Sequence, residues 1–194
     1  MGLALRWPWK TADPYWDNFI NRAPADANNL VPPAIAATTE GQVFPVKTEI
    51  HGPNIMSDQM KDLGRFFGAD DVGVAELGPG GDTKYPFAIV CIVASEYDTR
   101  TAQGIGGQAA ALTGGYVSFN LAGAIREYGF RATRSHEADG DRLAVCAGLG
   151  KLDGEGRLVT PEFGSKVHIA DVIRTDLPLS PGSTERYEWA KPTS

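Results

Sequence analysis

Hydrophobic and polar positions change their period several times along the chain, and each change marks an element. Met60, Leu63 and Phe67 recur at the spacing of one helix face, with Ser57 ahead of them as an N-cap and Gly68 behind as a stop. That spacing predicts a helix over 57–67. Residues 71–77, DVGVAEL, read as a strand, closed by the Gly78-Pro79-Gly80-Gly81-Asp82 loop. The run FAIVCIVA over 87–94 is apolar without alternation, the mark of a strand covered on both faces. A long helix is predicted over 108–128, weakened in its middle by Gly114-Gly115 and closed by Gly129. A strand starting at 130–133, a short helix over 141–147 and two last strands at 158–160 and 167–175 complete the pattern. Upstream, 39–50 reads as a short strand or hairpin arm.

Helices and strands mixed in this order predict an α+β sandwich. The 194 residues suit one domain. Residues 1–54, rich in Pro, Asn and Trp, form an irregular arm. Trp7, Trp9, Tyr15 and Trp16 within it gain from burial, against the domain or against a second subunit. The domain proper runs over 55–180, and 181–194 is a tail. No internal repeat is visible.

Composition narrows the classes. Hydrophobic residues make up 42% and charged residues 22%, ordinary values for a soluble protein. The net charge of −6 and the lack of a basic block argue against nucleic acid as a partner. Arg131, Arg134 and Arg142 are interleaved with acidic residues and predict a solvated face. No apolar run reaches membrane-spanning length, and MGLALRWPWK has neither a signal-peptide h-region nor the myristoylation spacing after Gly2. No membrane association and a cytoplasmic location are the expectations. The two cysteines, Cys91 and Cys146, read as free buried thiols. They are too few for a four-cysteine iron–sulfur cluster within the chain.

Complete catalytic words are missing. Gly104-Ile105-Gly106-Gly107 lacks the P-loop lysine and the dinucleotide-binding spacing. Ser118 and Ser135 lie in no nucleophile elbow. His51, His136 and His168 are too scattered to argue for zinc, so no metal site is assigned. What stands out is 147–179, AGLGKLDGEGRLVTPEFGSKVHIADVIRTDLPL. Its glycines at 148, 150, 154, 156 and 164 either form turns or let the backbone approach a flat partner. Backbone N–H groups at such turns can hold a phosphate.

The order of these words resembles the corrinoid-binding core of reductive dehalogenases and, more loosely, epoxyqueuosine reductase. AGLG, a glycine pair, TPEFG and TDLPL follow one another, preceded by GADDVGVA (68–75), YPFAIV (85–90) and LAGAIREYGF (121–130). The resemblance covers about 55–180. It implies a nitroreductase-like α/β sandwich with a central mixed or antiparallel sheet. It also implies cobalamin held base-off, with no protein ligand to cobalt, by backbone near Gly148, Leu149, Gly150, Gly156, Thr160, Pro161 and Phe163. The D-x-H-x-x-G word that places a histidine beneath cobalt in other cobalamin proteins is absent.

The family's proton-donor tyrosine would fall near Ala111, its second active-site residue near His136 or Glu137, and its supporting arginine at His168. Tyr116, His136 and His168 are therefore the replacement candidates for proton transfer. The family's two iron–sulfur clusters are not encoded here, so a separate electron donor or iron–sulfur protein is the implied partner, with a homodimer as a further option. The leading reading is a standalone corrinoid-binding protein, a carrier, processor or reductase of cobalamin. A flavin-dependent reductase of nitroreductase-like fold and a non-enzymatic partner-binding subunit are the alternatives. Neither the substrate nor dehalogenation itself follows from the residues.

Overall fold

Pro53 opens the first helix whose bounds are described. The computed structural model describes residues 35, 37–78, 82–97, 105–136 and 139–188. The Trp-rich stretch of the predicted arm and Glu137 lie outside them.

Helix α1, Pro53–Phe66, begins earlier than its apolar spacing suggests, because proline suits the first turn, where its missing N–H is no loss. Ser57 is thus not a cap but a buried residue within the helix. Its hydroxyl donates to the Ser180 carbonyl at 3.2 Å and accepts from the Ser180 N–H at 2.8 Å. Gly68, at φ 110°, ends the helix as expected.

Strand β1 (Asp71–Glu76) runs antiparallel to β2 (Phe87–Ala94), Val74 opposite Ile89. Helix α2 spans Ile105–Glu127 and is followed by β3 (Ala132–Ser135). Helix α3 (Gly140–Cys146) leads into a small hairpin of β4 (Lys151–Leu152) and β5 (Leu158–Val159). The last strands are β6 (Val167–Ile169) and β7 (Val172–Thr175). The main sheet has the order β1-β2-β7-β3, with β6 also on β2, and every ladder in it is antiparallel. The fold is α+β with an antiparallel sheet.

Helices cover both faces. On one, α1 and α2 bury Met60, Val117, Leu121 and Ile125 against Val74, Ile89, Cys91 and Ile173. On the other, α3 and the hairpin bury Leu143, Cys146, Leu149 and Leu158 against Ala88, Val90, Ile92 and Val172. The unbroken apolar run of β2 follows directly from this two-sided cover.

Residues 39–50 form no strand. They lie as an extended strap along α2 and β3. The Phe44 N–H donates to Arg126 O at 2.9 Å, Thr48 N–H to Tyr128 O at 2.9 Å, and Arg134 N–H to Thr39 O at 3.0 Å. No helix among the described residues is long and apolar enough to cross a membrane.

The predicted strand 167–175 is broken by a bulge. Ile169 faces Ile92 and Ile173 faces Ile89, so three residues, 170–172, oppose two on β2, Val90 and Cys91. A bulge of this kind changes which face later side chains take and can re-aim a polar one. Here it puts Ala170 and Ile173 in the α2-side core and leaves Asp171 beside Arg134.

Candidate functional site

Strand β3 carries Ala132 and Arg134 on the face that α2 covers. Arg134 is only 2% exposed, against the expectation of a solvated basic face. Alternation explains the reversal: a side chain two residues from buried Ala132 must point the same way.

A buried guanidinium needs acceptors. Nη1 of Arg134 lies 3.3 Å from Asp171 Oδ2 and 3.4 Å from the Ser118 hydroxyl. Nη2 donates to the Ile35 and Thr38 carbonyls, just ahead of the strap. The group also sits 5.5 Å from the centre of the Phe119 ring. Its Nε is buried and has no partner among the described residues. Burial lowers the Arg134 pKa, the nearby Asp171 charge opposes that, and Arg126 adds to it.

Two of the three sequence-predicted proton-transfer residues gather round Asp171. His136, just beyond β3, places Nδ1 3.7 Å from Asp171 Oδ1, with its side chain 87% exposed. His168, on β6, lies under α2 where Gly114 leaves room; a Cβ at Gly114 would stand 2.9 Å from His168 Cδ2. Burial pulls the His168 pKa below its ordinary value, Asp171 pushes it up, and His136 pulls it down again. Tyr116 does not join them. Two residues after Gly114, it is turned about 200° round the helix and is 52% exposed, so it is not the core-packing residue a mid-helix tyrosine suggests.

The glycine run divides in two. Gly148 has φ 82° and its missing Cβ is filled by the Gly182 carbonyl at 2.8 Å. Gly150 is pressed onto the Val159 carbonyl, and Leu149 is buried between them. These positions serve the chain's own packing. Gly154, Gly156 (φ 76°) and Gly164 (φ 62°) have open space where a Cβ would stand. Asp153 shapes the hairpin tip by accepting from Glu155 N–H, Arg157 N–H and Arg157 Nε at 2.8, 2.9 and 3.0 Å. The Arg157 N–H bond comes first among the causes that hold its carboxyl below its usual range; desolvation opposes it, and the Glu155 N–H and the Arg157 side chain add to the lowering. The Thr160 hydroxyl is buried, donating to Gly164 O at 3.2 Å and accepting from Phe163 N–H at 3.0 Å. Pro161 is exposed on that turn, and Phe163 packs on the α3-side core.

Cys91 and Cys146 are both buried and free. Burial raises the Cys91 thiol to about 12 and also raises that of Cys146. Neither is poised as a nucleophile. No group of three or more His, Cys, Asp or Glu residues suited to a metal ion occurs among the described residues.

No family model and no curated protein matches the sequence. Solved structures do. The catabolic reductive dehalogenase NpRdhA, in complex with 3-bromo-4-hydroxybenzoic acid, superposes with a TM-score of 0.67 at 23% identity, over 78% of this chain and 23% of that one. A second structure of tagged NpRdhA gives 0.65 at 25% identity over the same shares. A reductive dehalogenase structure described as suggesting a mechanism for B12-dependent dehalogenation gives 0.67 at 23% identity, over 84% of this chain and 25% of that one. The fold is therefore that of part of the reductive dehalogenases. The chain spans about a quarter of the length of the dehalogenases it matches.

Proposed function

We propose that this chain binds a corrinoid in the base-off form, without a protein ligand to cobalt, and acts as a reductase fed by a separate electron donor. The likeness in fold to a structure described as B12-dependent carries the reading. The residues present suit a cofactor held by backbone: Gly154, Gly156 and Gly164 leave main chain uncovered on the hairpin and on the Thr160–Gly164 turn. Pro161 and Phe163 flank the second of these. In this reading Gly148, Leu149, Gly150 and Thr160 hold the cradle in shape rather than line it, and Gly156, Pro161 and Phe163 meet the ligand.

When bound, the corrinoid would supply a metal centre able to deliver electrons to a substrate. The chain's own residues manage protons and charge. His168, half-buried and with its pKa pulled down by burial, stands uncharged near neutrality and is the group through which a proton would pass towards a substrate. Solvent-exposed His136 lies 3.7 Å from Asp171, whose charge also acts on His168, and these two residues are the candidate route for that proton. Arg134 holds Asp171 in place. Tyr116 would serve only a substrate on the solvent side of α2.

The test is retention. Folded protein incubated with reduced cobalamin and desalted should carry about one equivalent of corrinoid, read by absorbance. Passage of all the cobalamin through the column, with the protein folded by circular dichroism, would overturn the proposal.

A further inference from the structure

A cleft opens at the other end of α2 from His168. Gly114 and Tyr128 are about 20 Å apart along the helix axis, so the cleft is separate from the site above. Its volume is about 250 Å³, and it is lined by Thr48, Glu49, His51, Ile55, Met56, Gln59 and Tyr128. Ligand cavities for drug-sized molecules run to about 300–1,000 Å³, so the occupant is smaller than these.

The lining has a definite chemistry. Ile55 and Met56, from the first turns of α1, give an apolar wall, and methionine adapts to the shape of what it meets. Tyr128 adds an aromatic ring, half-buried against the core. Glu49 brings the one acidic side chain in the lining, with no lysine or arginine beside it. Lys47, two residues away, is committed elsewhere: its Nζ lies 4.7 Å from the Phe130 ring centre and 4.0 Å from Asp176 Oδ2. The Glu49 carboxylate, the His51 ring, the Gln59 amide and the Tyr128 hydroxyl have no side-chain partner among the described residues. These polar groups, exposed at Glu49, His51 and Gln59, line one concave, part-apolar place. A carboxylate and an aromatic ring in one cleft, with no lysine or arginine in its lining, suit a cation.

We propose that this cleft binds a small organic cation, an amine or quaternary ammonium carried on a short apolar or aromatic body. Glu49 takes the charge, Tyr128 the face of the cation, and Ile55 and Met56 the apolar body.

The test uses the whole chain and three probes of one shape: 2-phenylethylamine, 2-phenylethanol and phenylacetate, with choline as the quaternary case. Binding is followed by calorimetry and by amide chemical shifts. The amine should bind at least tenfold tighter than the alcohol and should shift the amides of 48–59 and Tyr128. Glu49→Gln, at an exposed position with no contact to lose, should weaken the amine about tenfold and leave the alcohol unchanged. Tyr128→Leu should weaken choline most. Phenylacetate binding as tightly as the amine, amine binding unmoved by Glu49→Gln, or shifts confined to other residues would each overturn the proposal. Success or failure here is independent of cobalamin uptake.

Discussion

Asp171→Asn removes the counter-charge of a guanidinium whose side chain is 1% exposed. Deleting one partner of a buried pair costs about 3–5 kcal/mol. The cost here is smaller. Asp171 is 28% exposed, the contact is one 3.3 Å bond, and Ser118 and the Ile35 and Thr38 carbonyls still accept from the cation. Water reaching Asp171 screens the pair further, which places the loss at about 2 kcal/mol. For a domain of this length that is a fall in Tm of about 4–8 °C. Urea unfolding followed by circular dichroism gives the free energy, and an unchanged m-value shows that the two states are the same. In the double variant with Arg134→Met, the loss should be less than the sum of the single losses, because no orphaned charge remains. A stability for Asp171→Asn within about 0.5 kcal/mol of the parent, or strict additivity in the double variant, would refute the idea that Arg134 depends on Asp171.

Other consequences are as direct. Because burial depresses the His168 pKa below its ordinary 6.5, the unfolded chain binds more protons between the two values. The stabilisation is complete above about pH 6.5 and is lost as pH falls from there towards the lower folded value; His168→Gln should flatten that slope, and an unchanged slope would contradict it. Cys91, raised to about 12, and Cys146 should both resist a thiol reagent at mildly alkaline pH until the chain is unfolded; one fast-reacting thiol in the native protein would be inconsistent with their burial. Gly150→Ala forces a methyl onto the Val159 carbonyl and should cost about 1–3 kcal/mol, whereas Gly154→Ala, with open space and no positive φ, should be nearly neutral; equal effects would mean the hairpin is placed differently.

Fold was the part most legible in the residues, for a physical reason. Burial on two faces writes an unbroken apolar run, and FAIVCIVA at 87–94 is β2 to the residue. Gly68 and Gly129 take the positive φ that a helix stop requires. Where local and tertiary signals compete, the local reading slips. Ser57 reads as a cap by itself, but Pro53 starts the helix and Ser57 instead ties α1 to Ser180, 123 positions away. The strap at 39–50 reads as a short strand or hairpin arm, yet it spends its hydrogen bonds on the end of α2 and on β3 rather than on a ladder.

Of the site, His136 and His168 were visible as residue types, while the group that unites them was not. Asp171 faces Arg134 because of one extra residue in the β6–β7 strand, and nothing in the run VHIADVIRT announces a bulge. Arg134 had a signal, its parity with Ala132, masked by acidic neighbours that suggest solvent. The glycines read as turns or as places where the backbone meets a flat partner; at Gly148 and Gly150 what stands close is the chain's own backbone.

The central claim is corrinoid binding, and electron paramagnetic resonance of the protein titrated with cob(II)alamin tests it most directly. The account predicts one-to-one conversion to a base-off spectrum with no nitrogen splitting from an axial ligand. An unaltered base-on spectrum in the presence of folded protein would contradict it, and axial nitrogen splitting from a protein histidine would contradict the absence of a ligand to cobalt.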